Sequence, residues 1–149
     1  MRERSTWSDG KPSELVPAFL EVSCATQLTR KSPRTEPGTE STGLVSYRRR
    51  HYGAQAFCWE IGIALLPQWR GQGIGWRAQA IFCSYLFENT PVQRIEAATH
   101  AENAAEQRSL EKAGFTLEGV IRAAEYRAGQ WRDGYLYSRL RTDPDPLAG

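Results

Sequence analysis

Three glycines fall within five residues in Arg70-Gly71-Gln72-Gly73-Ile74-Gly75, and they sit directly between an apolar run and a segment of helical spacing. The run before them, from Phe57 to Pro67, is almost continuously apolar, as in a strand at the centre of a sheet. Pro67 cannot donate to a ladder, so the strand must end or splay there. After the loop, Ile74, Ala78, Ile81, Phe82, Tyr85 and Leu86 recur at helical spacing through about Phe87. Opening a helix this way leaves the N–H groups of residues 71–75 without intrahelical partners, at the positive end of the helix dipole. Glycine lets an anion approach with no Cβ in the way, and Arg70 adds a charge-assisted partner. A pyrophosphate is the natural guest of Arg70, Gly71, Gln72, Gly73, Ile74 and Gly75.

Two common pyrophosphate loops do not fit. A P-loop needs a Lys-Ser or Lys-Thr after its last glycine, and none follows this loop. A dinucleotide fingerprint needs a third glycine where Trp76 stands, and a repeating βαβ unit that the chain lacks. The alternative without a ligand is a tight strand-to-helix turn.

The rest of the chain supplies the setting. Residues 13–29 hold enough apolar side chains for a short helix or strand, interrupted by Pro17. Residues 30–42 carry no large apolar residue and two prolines, which predicts an exposed loop or disordered segment. Residues 43–50 read as a strand running into a basic turn, with Tyr52-Gly53 closing a hairpin. Residues 94–100 alternate like a strand. Asn103 opens a helix that Gly114 closes, and residues 115–126 and 131–141 form a hairpin around Ala128-Gly129-Gln130. This predicts a mixed α/β domain over residues 43–141, a poorly defined segment over 1–42 and a frayed tail over 142–149.

Composition excludes several classes. The net charge of +2 is too small to argue for nucleic acid by itself. No apolar run reaches the roughly 18 residues that span a bilayer, and the first residues lack the apolar core of a signal peptide. Cys24, Cys58 and Cys83 are odd in number and widely spaced, which suits buried reduced thiols in the cytoplasm. His51 and His100 are isolated, without metal-ligand spacing. Arg48-Arg49-Arg50 reads as a solvated face, with an acidic or RNA-associated partner as the sharper alternative.

Two motifs in order make the pattern specific. Arg70-x-x-Gly73-x-Gly75, after a strand ending in Pro67, resembles the acetyl-CoA signature of GNAT acetyltransferases. Asn103, followed by Leu110-Glu-Lys-Ala-Gly-Phe115-Thr-Leu-Glu-Gly119, resembles the ribosomal-protein-alanine N-acetyltransferase (RimJ/RimL-like) branch. The resemblance covers roughly residues 43–141. It implies a central, splayed, mostly antiparallel sheet flanked by helices, and transfer of an acetyl group from acetyl-CoA to a primary amine. The pantetheine arm would dock as a pseudo-strand on the backbone of Ile63 and Leu65, with Asn103 as a further cofactor contact. Asn103 also reads as a plain helix N-cap, and the two roles are compatible.

The resemblance names candidates for proton transfer, and leaves them open. Glu125 matches a glutamate beside the substrate site of ribosomal-protein acetyltransferases. Glu60 lies where other branches keep a catalytic carboxylate. Both also read as solvated or ion-paired strand residues. The tyrosine that many members use to protonate the leaving thiolate is replaced by Leu110, and the serine of the RimJ/RimL-like branch by Glu106. Asn103-x-x-Glu106 fits a capping box. Tyr137 is the alternative donor, or a core tyrosine. Trp131 could line a substrate pocket near Glu125. Family domains begin with a strand and two helices, whereas here 42 mostly polar residues precede the first clear strand. The substrate wall would then be reduced, or supplied by a partner as in a homodimer, or the domain would be degenerate. The rival readings are a non-catalytic acyl-CoA-binding module and, more weakly, an RNA-associated protein.

Overall fold

The computed structural model describes residues 16–17, 25–31 and 39–148, with side chains from residue 41 onward. Its strands are β1 (Val16–Pro17), β2 (Ala25–Lys31), β3 (Thr39–His51), β4 (Phe57–Leu65), β5 (Arg94–His100), β6 (Thr116–Arg127) and β7 (Gln130–Leu140). Two helices, α1 (Ile74–Asn89) and α2 (Ala104–Lys112), complete the order. The strands form one sheet in the order β1-β2-β3-β4-β5-β7-β6. Every pairing is antiparallel except β4–β5. This is the mixed, mostly antiparallel sheet that the family resemblance implied.

Alternation sorts the two faces. Val45, Ile61, Ile95, Ala97 and Tyr137 share one buried cluster with Ala78, Phe82, Leu86, Leu110 and Phe115 from the helical half. Both helices therefore cover the same face of the sheet. Intervening residues of β4 and β5, including Cys58, Glu60 and Glu96, point to the other face. Helix α1 ends where Thr90 donates its N–H and its hydroxyl to Leu86 O, at 3.0 and 2.6 Å, and Pro91 cannot continue it. Helix α2 ends at Lys112, two residues before Gly114, whose φ of +85° suits glycine just past a helix cap.

Three local expectations differ from the structure. Residues 30–31 and 39–42 lie in β2 and β3, not in a loop, and Thr42 is fully buried, while residues 32–38 lie outside those described. Strand pairing uses backbone groups, so a polar Thr-Glu-Ser-Thr run can join a ladder without an apolar stripe. Arg48–Arg50 stand within β3 and not in a turn. The tail after Arg141 is docked. Arg141 donates to the carbonyls of Phe87, Thr90 and Val92, Asp145 meets Arg139 at 3.4 Å, and Leu147 packs on the core.

Candidate active site

The only parallel pair among the described strands is short. Strand β4 meets β5 at Trp59↔Ile95, Glu60↔Glu96 and Ile61↔Ala97, and the pairing stops there. Beyond that point β4 stays with β3 as far as Leu65↔Gly43, while β5 stays with β7 as far as His100↔Gly134. A gap therefore opens between residues 62–65 and 98–100. Leu66 donates its N–H to Thr42 O on β3 at 2.9 Å. By alternation, the N–H groups of Ile63 and Leu65 face the other way, into the gap. Leu65 O accepts from Arg70 Nε at 3.1 Å, which ties the glycine loop to the end of β4. Gly43 is where β3 can approach this closely, since a Cβ there would lie 2.2 Å from Ala64 O.

The loop follows after one 3₁₀ turn, Pro67–Trp69. Gly71 and Gly73 have φ of +73° and +75°, a region that L side chains rarely adopt, and Gly73 is the N-cap of α1. Among the described residues, the N–H groups of 71–75 donate to no backbone carbonyl. The space a Cβ at Gly71 would occupy is open. Gly75 closes the loop against its neighbours: a Cβ there would meet Ser109 Oγ at 3.3 Å and Leu65 Cδ1 at 3.5 Å. Gln72 caps its own turn by donating to Gln68 O at 2.8 Å.

Asn103 Oδ1 accepts the N–H of Glu106 at 3.2 Å, which makes it the N-cap of α2 and leaves its amide NH2 uncommitted among the described residues. The expected capping box forms only by half. Glu106 turns its carboxylate to Gln79 on α1, while Asn103 N–H goes to His100 O at 3.0 Å. Burial pushes the Glu106 carboxyl above its ordinary range, against the Gln79 bond that favours the ionised form. Gln79 also accepts from Ser109 Oγ at 3.0 Å, so this trio links the two helices beside Gly75.

On the opposite face lies a row of charges that the sequence pattern did not foretell. Glu60 pairs with Arg48 at 2.6 Å and Arg50 at 3.4 Å. Beside it, Glu96 is fully buried, in contact with Arg94 at 2.6 Å, Arg50 at 3.4 Å and the Tyr52 hydroxyl. Arg94 continues the row to Glu118, whose carboxyl it and Ser138 hold down at about 2. Arg49 points to the other face and lies over the Phe57 ring at 4.4 Å. Each arginine of the run therefore has a partner within the chain, Arg48 and Arg50 a carboxylate and Arg49 the Phe57 ring.

The three proposed acid–base residues are not brought together. Glu60 stands at the vertex of the gap. Tyr137 is 1% exposed in the core on the helical face, where burial and Glu111 raise its phenol. Glu125 lies on β6, three strand spacings from β4, or roughly 14 Å. Its neighbour is a residue read from the sequence as isolated: His100 Nδ1 lies 2.7 Å from Glu125 Oε2. No local signal announces that pair, because it depends on the β5–β7–β6 register. The ring opens onto a cavity of about 360 Å³ whose walls include Glu102, Trp131, Arg132 and Asp133.

A strand that parts from its parallel neighbour, followed at once by a glycine loop opening a helix, is the geometry the resemblance called for. The sequence pattern of the Acetyltransferase (GNAT) domain matches residues 4–116. The chain belongs to the GNAT acetyltransferase family. Among curated proteins it is 34% identical over 85 residues to "Probable N-acetyltransferase YjcK" of Bacillus subtilis, covering 57% of this chain and 47% of that one. The ribosomal-protein-S5-alanine acetyltransferase of Vibrio fischeri shares the fold at TM-score 0.67 and 24% identity, covering 79% of this chain and 61% of that one. The RimL acetyltransferase of ribosomal protein L7/L12, solved with coenzyme A, does so at TM-score 0.64 and 22% identity, covering 78% and 62%. The chain thus spans about half the length of the curated relatives and under two thirds of these structures. No helix among the described residues is long and apolar enough to cross a membrane.

Proposed function

We propose that this GNAT protein transfers the acetyl group of acetyl-CoA directly to a primary amine, with a protein N-terminus favoured and a small amine as the other substrate class. One observation carries the reading: β4–β5 pairing ends at Ile61/Ala97, and the unpaired edge leads through one 3₁₀ turn into a glycine loop with positive φ at Gly71 and Gly73. Orphaned backbone donors in such a gap need a partner, and the pantetheine amides are of the right kind. Ile63 and Leu65 would hold that arm. The N–H groups of Gly71, Gln72, Gly73, Ile74 and Gly75, with Arg70, would hold the pyrophosphate. Asn103 would use its free amide NH2. Acetyl-CoA supplies an activated acyl carbon, so the chain needs no nucleophile of its own, only a group that takes the amine's proton and donors that steady the developing oxyanion.

Of the candidates, Glu125 stands best placed to serve proton transfer, since it contacts His100 at 2.7 Å and His100 borders a cavity. Both oxygens of Glu60 are engaged by arginines, and Tyr137 is packed in the core. The relatives named for ribosomal proteins support a protein N-terminus as acceptor. Cys58 and Cys83 are free and buried, which suits a reducing, cytoplasmic setting.

The test is release of CoA thiol from acetyl-CoA with peptides of free or blocked N-terminus and with a polyamine, products being checked by mass. Amine-dependent release with one added acetyl group supports the reading. Binding of acetyl-CoA without turnover on any amine would instead establish a non-catalytic acyl-CoA-binding module.

A further inference from the structure

We infer that His100 is the group that accepts the proton of the attacking amine, and that Glu125 acts through it as a positioning residue. The inference rests on the acetyl-transfer reading above and assigns its proton acceptor.

Placement comes first. Strand β5 leaves β4 after Ala97, and His100 lies three residues further along the β5 edge of the gap, roughly 10 Å from the vertex. The ring is 33% exposed and forms part of the wall of the cavity of about 360 Å³ beneath the β6–β7 hairpin. An acceptor amine held in that cavity lies against His100, which is also the last β5 residue along the gap. The backbone of His100 is held from α2, its carbonyl accepting from Asn103 N–H at 3.0 Å and from Gln107 Nε2 at 3.2 Å.

Orientation comes second. Glu125 Oε2 is shut off from solvent, and no aligned hydrogen bond reaches it, so the Nδ1 edge of His100 at 2.7 Å is what balances its charge. A proton on Nδ1 faces that carboxylate across the 2.7 Å contact and leaves the Nε2 lone pair as the acceptor. The chain reaches this arrangement through distorted backbone. Between Ile121↔Gly134 and Glu125↔Arg132, four residue steps on β6 face two on β7. Within this bulge Ala123 has φ of +49° and donates its N–H to Asp133 Oδ1 at 2.8 Å. A bulge re-aims the side chains that follow it, and here the side chain re-aimed is Glu125. Such strain persists where the surroundings over-determine it, characteristically at functional sites.

Four charged groups stand around the ring among the described residues. They are Glu125 from β6, Glu102 from the turn before α2, and Arg132 and Asp133 from β7. Arg132 pairs with Glu102, and Asp133 holds the Ala123 N–H.

In the step, the substrate ammonium gives one proton to Nε2. The nitrogen lone pair then bonds to the thioester carbonyl carbon as the carbon–sulfur bond breaks. A second N–H proton leaves with the sulfur as free thiol, and His100 returns the first proton to solvent. The products are the acetylated amine, CoA and one proton.

The chain has two histidines, so ¹⁵N-histidine NMR of the full chain, assigned with His51→Gln, reads the pair without any turnover. The expected result is neutral His100 protonated on Nδ1 in the wild type, reverting to the usual Nε2–H form in Glu125→Ala. An Nε2–H ring in the wild type overturns the inference. Kinetics supply the second arm. His100→Asn should lower kcat about 100-fold or more on a strongly basic amine, the usual scale for a positioned base, with unchanged acetyl-CoA affinity. The loss should be much smaller on a weakly basic amine that arrives already deprotonated. Equal losses on both amines, or an unchanged kcat, overturn the role of His100 while leaving acetyl transfer intact. A wild type that acetylates no amine overturns both.

Discussion

Gly73 separates two properties that a simple loss-of-fold argument would merge. It caps α1 with φ of +75°, and a Cβ there would touch only the Trp76 ring, at 3.4 Å from Nε1. Gly73→Ala should therefore cost mainly conformational strain, about 1–2 kcal/mol, or a fall in Tm of roughly 2–8 °C for a chain this size. Gly73→Asp behaves differently. Aspartate tolerates the left-handed region better than alanine and favours a helix N-terminus by about 0.3–1 kcal/mol. Its stability should stay within about 1 kcal/mol of the wild type. Acetyl-CoA binding should move the opposite way. A carboxylate ~5 Å from one pyrophosphate charge, at an effective dielectric of ~20, opposes binding by about 3 kcal/mol, or ~200-fold in Kd. Thermal unfolding and calorimetric titration of both variants measure the two quantities independently. If Gly73→Asp loses as much stability as Gly73→Ala and still binds acetyl-CoA at wild-type affinity, the loop is a turn and not an anion cradle.

Other outcomes follow from single sites. The Ala128-Gly129 turn has positive φ at both residues, as a type I′ hairpin requires, so Ala128→Asn should raise stability by about 1 kcal/mol in urea unfolding; a loss would contradict that backbone. Glu118 is held at about 2 by Arg94 and Ser138, so its contribution is present above its unfolded pKa and fades as pH falls from about 5 toward 2. The stability difference between pH 6 and pH 3 should accordingly shrink in Glu118→Gln, and an undiminished difference would sink the assignment. Burial pushes the thiols of Cys58 up to about 11 and Cys83 up to about 12, so a Cys24→Ser protein should react with a thiol reagent only after unfolding. Rapid labelling of the native protein would place those cysteines elsewhere.

Features carried by local pattern were legible in the sequence. The apolar run of β4, the glycine loop, the spacing of α1, and the asparagine and glycine that bound α2 each announce themselves within a dozen residues. Side chains whose partners come from other strands were not. Alternation over residues 94–100 does not reveal that Glu96 is buried, because Arg50 and Tyr52 converge on it from another part of the chain, beside Arg94. Glu106 reads as half of a capping box but serves Gln79 on another helix. His100 reads as isolated because Glu125 reaches it only through a bulge that places two extra residues on β6. The polar start of β3 and the docked tail were missed for a related reason. Backbone pairing and arginine–carbonyl bonds leave no apolar period to detect.

The central claim is that the gap beyond Ile61/Ala97 and the loop after it hold acetyl-CoA. Thermal unfolding of the wild type with acetyl-CoA, CoA or NAD, each far above its expected Kd, tests it most directly. A ligand at ~100 times its Kd that binds only the folded state adds about 2.7 kcal/mol, a rise of roughly 5–11 °C here. The account predicts that rise with acetyl-CoA and CoA and none with NAD. An unchanged Tm with both CoA compounds, or an equal rise with NAD, would contradict it.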